Sequence, residues 1–523
     1  MCEKNKKSKM TAAFCAAALS LALGTALTSC GGKSAKAVSD GSYEVATVRW
    51  ADWGEKYHEG FPDKAAQEAG VKVNWRTILF SDWNDKKAVI LAGGDLPDAF
   101  LGEICFSESE ILANKGLFIP LEGYIEKCMP NLSKILKEDG QMKALATSSD
   151  GHIYGLPAKK VLRMKVWNQM FINKIWLDNL GLKMPETYRE FEAVLEAFKK
   201  YDANKNGNPD DEIPFGAGYA DSVMFFCLPF GTTVGTDNTS QLALRDGKVV
   251  YLPVTNQYKD GIKWMHECYE KGLIDKELFT EDGSMRDAKL MAKIPVVGCA
   301  PGWTADSTFG ANSDQYAALP PLAGPDGKRY ISSDPDHAGF SRYEFMVTKR
   351  CKDVEKLLAW ADKFYTEDAS IQNFYGSFGI GTQKNDDGTY TVLAPRDGMS
   401  ADTYAWVSSL RDFGPKYVSD DFNSKIKYEA ANGDAIKIKL DEEMRKFAVP
   451  AVPNMSYTPD QHEKLRLLYT DINSYARTLQ AKWVTEGGID GEWDSYMQSL
   501  NRMGLEKFLE IHNDAYKTYL KNQ

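Results

Sequence analysis

Tyr43 to Trp50, YEVATVRW, alternates apolar and polar positions at the period of a strand. Apolar positions then take up helical spacing near Pro62 to Ala69, return to a strand over Val71 to Phe80, and read as a helix from Asp82 to Ala92. The turn Gly93-Gly94-Asp95 and the short apolar segment Pro97-Asp98-Ala99-Phe100 close this stretch. Strands and helices alternating at this spacing predict an α/β lobe with largely parallel strands.

One helix can be placed residue by residue. Thr187 and Glu190 stand in the S/T-x-x-E relation of a capping box, and Phe191, Val194, Leu195 and Phe198 follow at i, i+3, i+4 and i+7. The helix therefore starts at Thr187 and packs one apolar face. Val354, Leu357, Leu358, Ala361 and Phe364 repeat the pattern, as do Leu505, Phe508, Leu509, His512 and Tyr516. Residues 240–345 mix short strands with helices, and 400–523 read as mainly helical. There is no tandem repeat and no second candidate membrane span.

The chain start carries a different pattern: a basic stretch from Lys4 to Lys9, an apolar run from Met10 to Leu27, then Leu27-Thr28-Ser29-Cys30-Gly31. A charged n-region, an apolar h-region and small residues at the cleavage point make a secretory signal, and a cysteine there reads as a lipobox. On that reading residues 1–29 are the signal peptide and Cys30 becomes the lipidated first residue of the mature chain. The alternative is an uncleaved helical anchor, for which the run is barely long enough. Residues 30–41, with no apolar periodicity, read as a flexible linker.

Removing residues 1–29 takes away four Lys and one Glu, so the formal charge moves from -10 to -13. So acidic a chain is a poor partner for nucleic acid, whose affinity comes mainly from Lys and Arg on phosphates. The remaining length implies two or three domains. Twelve Trp make the chain rich in rings; core packing should take most of them, and an excess can line a sugar-binding groove. Cys105, Cys128, Cys227, Cys268, Cys299 and Cys351 form no CxxC pair, which removes the usual zinc and thioredoxin spacings; export would permit disulfides, while burial as free thiols is the plainer expectation.

Directly after the capped helix runs Asp202-Ala203-Asn204-Lys205-Asn206-Gly207-Asn208-Pro209-Asp210-Asp211-Glu212. Oxygen-bearing residues at positions 1, 3 and 5, Gly at 6 and acids at 9 to 11 match the first part of a calcium loop. Asp202, Asn204, Asn206, Asn208, Asp210 and Asp211 are the candidate Ca2+ ligands. Ile213 stands where an EF-hand has its bidentate Glu, so Asp210, Asp211 or Glu212 must close the shell. An ordinary Asn/Asp/Gly turn is the competing reading, and either way the loop is structural.

The stretch Ile172-Asn173-Lys174, Trp176 to Leu182, Pro185-Glu186-Thr187 and the acidic loop ending Glu212-Ile213-Pro214 resembles the extracellular solute-binding lipoproteins of ABC importers. The resemblance is to their carbohydrate branch, the LipO/LplA-like group of the maltose-binding superfamily. Gly94 to Asp98, Gly116 to Leu121, Asp150 to Pro157, Gly272 to Asp275 and Gly488 to Trp493 extend it over nearly all of the mature chain.

The resemblance implies an α/β, two-lobed periplasmic-binding-protein-like fold with a hinge and a helix-rich C-terminal region. Its lobes would be 42–160 plus about 330–400 and 161–329 plus about 401–523, with the calcium loop in the second. It implies a membrane-tethered, monomeric, extracytoplasmic receptor that hands a sugar, with oligosaccharide the expected form, to a permease, with no enzymatic activity. Family positions point to Asp52 and Trp53 after the first strand, Glu103 after the Pro97-Asp98 segment, and Trp303 after Gly298 to Gly302. Gly102 stands where relatives often place an aromatic. Trp83, Arg342, which could fork onto hydroxyls, and Trp406, expected on a second-lobe helix, complete the ligand candidates.

A surface glycan-binding adhesin shares the aromatic groove without needing lobes that close, and an exported carbohydrate-active enzyme would need paired carboxylates. No GxSxG elbow, HExxH helix or P-loop is present, and the six His are scattered.

Overall fold

The computed structural model describes residues 41–50, 53–161, 164–166, 168–216, 219–231, 241–333, 339–396, 399, 403–453 and 455–521. Cys30 with the signal and most of the linker, Asp52 and Trp167 lie outside the described residues. The folded unit begins at Tyr43.

Two sheets organise this unit. The first holds β1 (Tyr43–Arg49), β2 (Val73–Leu79), β3 (Ala99–Leu101) and β4 (Leu156–Lys159). The second holds β5 (Gln169–Asn173) and β6 (Ile213–Phe215), and a hairpin of β7 (Leu242–Arg245) and β8 (Lys248–Tyr251) lies apart from it. The second sheet is completed by β9 (Val297–Gly302) and β10 (Tyr316–Ala318) in the order β10-β5-β9-β6. After β11 (Ile331–Ser332) the chain re-enters the first sheet as β12 (Phe340–Val347), makes β13 (Thr382–Lys384) and β14 (Tyr390–Val392), and adds β15 (Lys416–Tyr417). The first sheet thus reads β15-β4-β12-β3-β1-β2, with β1 parallel to β2 and β3, and β12 antiparallel to β3 and β4. β16 (Ile426–Tyr428) pairs with β14, and β17 (Ala448–Val449) with β11.

Both faces of the first sheet are buried, which is why β1 is apolar beyond simple alternation. Val45 packs into one core with Leu101, Phe345 and Trp360, while Ala46 and Val48 pack into another with Phe100 and Met346. The second sheet carries the largest core, built from Ile172, Trp176, Phe198 and Phe215 together with Trp264, Trp483 and Phe508. Three C-terminal helices, Pro459–Glu486, Ile489–Arg502 and Leu505–Lys521, complete that core, so the C-terminal region is helix-rich as expected. The capped helix spans Tyr188–Lys200, with Thr187 as N-cap and the reciprocal Glu190 bond in place.

One difference from the sequence reading concerns residues beyond 400. Lys416 and Tyr417 pair with Ala158 and Lys159, and Phe422 packs with Phe374 and Tyr390, so this stretch stays with the first sheet. The chain joins the second sheet again only with the helix Gly433–Met444, whose Leu440 packs against the core of Phe171, Val297 and Tyr316. Between the sheets the chain crosses three times, after Lys159, before Phe340 and before Gly433. The six cysteines among the described residues are free thiols, five of them buried.

Candidate functional site

β1, β2 and β3 run parallel, so their carboxyl ends share one edge of the first sheet, and ligands of open α/β sheets bind outside such an edge. Phe80 follows β2, Trp50 follows β1, Glu103 follows β3, and Arg342 lies at the start of antiparallel β12 on the same edge. Gly102, at φ 106, makes the turn that aims Glu103 outward, and a Cβ there would meet the Phe413 ring at 3.1 Å. The Phe413 ring thus leaves no room for a side chain at position 102.

A row of rings lines one end of the edge. Phe80 stacks on Trp50 with centroids 4.6 Å apart, Trp50 meets Trp53 at 4.4 Å, and Trp53 stacks on Trp406 at 3.8 Å and 14°. Trp406 touches Phe413 at 5.7 Å. Its helix, Tyr404–Ser408, packs beside the first sheet, which corrects its expected place on a second-lobe helix. Beneath the row lies Arg49, fully buried, over the rings of Trp53 and Tyr57 and donating to the Trp406 carbonyl. Its Nε and Nη1 find no partner, and burial pulls the guanidinium down to about 10.

At the other end, a polar cavity of about 550 Å³ is lined by Lys87, Glu103, Glu108, Phe340, Arg342 and Met455, among others. Arg342 donates to Glu108 at 2.6 Å through Nη1 and to Ser456 at 2.9 Å through Nη2, while its backbone N–H donates to Glu103 at 3.1 Å. His462, on the long C-terminal helix, lies 3.5 Å from the same Glu108 carboxylate. His462 and Arg342 hold Glu108 ionised: desolvation raises its carboxyl, but these two partners outweigh it and leave it below the usual range.

Trp303 directly follows β9 of the second sheet, half-buried, with the fully buried Lys437 ammonium 4.2 Å from its ring centroid. Opposite Gly302 on β5 sits Gln169, 1 % exposed, with neither amide atom hydrogen-bonded. Trp83 is a correction: it is 2 % exposed, packs against Phe100 and Phe106, and donates its indole N–H to the Cys105 carbonyl, so it cannot face a ligand. Trp50, Phe80, Glu108 and Gln169 escaped the sequence reading. A strand-end position would have found Trp50 and Phe80; nothing local marks the other two.

The acidic loop is wound by its own side chains. Asp202 accepts from the Asn206 and Gly207 N–H groups, Asn204 Oδ1 from Asn206 N–H, Asn206 Oδ1 from Asn208 N–H and Asn208 Oδ1 from Asp210 N–H. Each such oxygen keeps a lone pair for a hard cation, and the turns draw them together. Asp211 binds the amides of Asn204 and Asn206, and Glu212 accepts from Ala203 N–H with one oxygen while its Oε2 is buried without a partner. Among the described residues no three His, Cys, Asp or Glu side chains are arranged as a metal site, so a cation here depends on the Asn oxygens. The donor types fit calcium, and Asp210, Asp211 or Glu212 would have to close the shell.

Residues 49–243 match the family described as bacterial extracellular solute-binding protein. The chain is 33% identical over 481 residues to the fructooligosaccharide ABC transporter substrate-binding protein FusA of Streptococcus pneumoniae, covering 87% of this chain and 86% of that one. It is 28% identical to the lipoprotein LipO of Bacillus subtilis, covering 62% of this chain and 63% of that one. Among solved structures, S. pneumoniae FusA in complex with kestose superposes with a TM-score of 0.81 at 31% identity, covering 92% of this chain and 100% of that chain. An EF-hand mutant of FusA with fructo-nystose gives 0.81 at 30% with the same coverage. A solute-binding protein from Bifidobacterium longum infantis, described as binding HMO, gives 0.75 at 27%, covering 92% and 99%. The length and identity of these matches, on a mixed α/β fold shared with two-domain receptors, show that the chain belongs to the bacterial extracellular solute-binding proteins, as a non-enzymatic carbohydrate receptor of the ABC-transporter type.

Proposed function

We propose that the protein captures a short carbohydrate chain outside the cytoplasmic membrane and delivers it to an ABC importer permease, with fructo-oligosaccharides as the first ligands to test. One observation carries the reading: stacked rings run into a polar cavity along one sheet edge. Rings suit the C–H faces of sugars, and Glu103, Glu108 and Arg342 suit their hydroxyl rims. Trp53, Trp303 and Trp406 are the ring ligands, and Asp52 is kept as a polar ligand on the family resemblance alone. The identity to FusA supports the fructan class.

The two sheets with their helices form two lobes in this reading, 43–160 with 339–428 and 166–333 with 433–521, hinged at the three crossings. A ligand that touches both lobes favours the closed form, which is how occupancy would be signalled to the permease. Calcium bound by Asp202, Asn204, Asn206 and Asn208, and closed by Asp210, Asp211 or Glu212, would pin the end of the helix Tyr188–Lys200. Cys30 would carry the lipid after removal of residues 1–29, with 31–41 as tether and a monomer as the working unit; the relation to LipO supports the anchor.

A thermal-shift panel tests the ligand class. Kestose and fructo-nystose should raise the melting temperature, while galacturonate oligomers and peptides leave it unchanged. Stabilisation by uronates or peptides alone overturns the fructan assignment, and silence from every glycan overturns the receptor reading.

A further inference from the structure

Two exposed rings stand outside the central stack. Trp50 is 37% and Phe80 is 44% exposed, and they lie nearly parallel, 17° between planes, at the carboxyl ends of β1 and edge strand β2. Leu79 beside them is also exposed. The two rings cover one face of each other and leave the rest in water, and with Leu79 they form an exposed apolar patch of the kind that marks a ligand groove. Trp50 also leans on Trp53, so the pair continues the ring row and is no isolated surface patch.

Position along the edge fixes what could lie there. In the order β2-β1-β3-β12, the Phe80 end and the Arg342 end are three strand steps apart, about 15 Å at strand spacing. That distance exceeds one sugar ring and suits a short chain. We infer that Trp50 and Phe80 form an outer subsite that stacks the distal sugar unit of a chain whose other end lies in the Glu103–Arg342 cavity. The inference rests on the carbohydrate-receptor reading and deepens it, because it makes chain length a determinant of affinity.

Calorimetry on the mature chain in calcium, with kestose and fructo-nystose as probes, separates the two. The wild type should bind fructo-nystose at least tenfold more tightly than kestose. Trp50→Ala, Phe80→Ala and their double variant should collapse that ratio to within about threefold, with melting temperatures close to wild type because both side chains are exposed. A ratio that survives the double variant overturns the subsite and leaves the receptor reading standing. Wild-type protein that binds neither probe fails the fructan reading and the subsite together. Equal losses for both probes in the double variant also overturn it, by placing the rings under the first sugar units.

Discussion

Arg49 shows how a single residue serves a site at the expense of its own burial. A guanidinium sealed under Trp53 and Tyr57 with Nε and Nη1 unpaired is a costly group, and replacing such a charge by an apolar side chain often costs nothing in stability. Its hydrogen bond to the Trp406 carbonyl ties the segment carrying Trp406 to the end of β1. Arg49→Met should therefore melt at or above the wild-type temperature while weakening carbohydrate affinity several-fold; a large loss of stability would make it a core residue. His512 gives a second residue-level test. Burial lowers its imidazole from 6.5 to about 4, beneath the Tyr457 hydroxyl at 2.7 Å. Between those values the unfolded chain takes up a proton that the folded chain refuses, so stability falls as pH drops below about 6.5. Urea melts at pH 7 and pH 5 should differ by on the order of 2 kcal/mol from this group, and His512→Phe should remove that difference. Trp83→Ala should destabilise by about 3 to 5 kcal/mol as a core truncation. The residue types at the strand ends were visible in the chain, but Trp83 was not separable from Trp53 there: whether a ring faces solvent depends on Phe100, Phe106 and Cys105, which arrive from another segment.

Elements with local signals read best. The Thr187 capping box and the helix beginning at Leu505 are fixed by neighbours within one or two turns. Segment 401–428 reads poorly because its partners lie far away in sequence: Lys416 pairs with Ala158, and Trp406 meets Trp53. The helix Gly433–Met444 is another long-range case. Asp434 at its start is gripped by Arg411 at 2.7 Å and by the Tyr375 hydroxyl at 2.6 Å, on the first-sheet side. Lys437, one turn on, lies against Trp303, and Asp441 accepts the Val166 N–H. The acidic loop is the opposite case: its candidate oxygens are marked by spacing alone, and its side chains wind the turn locally. Calcium held at a hundred times its dissociation constant would add about 2.7 kcal/mol to that element. EDTA should accordingly lower the melting temperature, and Asp202→Ala should abolish the response; unchanged melting in EDTA would leave the loop an ordinary turn.

Across the whole molecule, contacts join the two sheet systems in a way that closure can exploit. Arg342 reaches Ser456, on the segment leading into the long C-terminal helix, and Glu108 reaches His462 in the first turn of that helix, next to the polar cavity. A sugar chain lying across that junction would touch groups from both sides, and its binding energy would favour the closed arrangement by the difference in affinity between the two states. An adhesin with the same rings has no need of such a change. Small-angle scattering of the mature protein in calcium, with and without saturating fructo-nystose, therefore tests the central claim most directly. A smaller radius of gyration with ligand is the predicted result, and an identical envelope in both conditions would contradict the account.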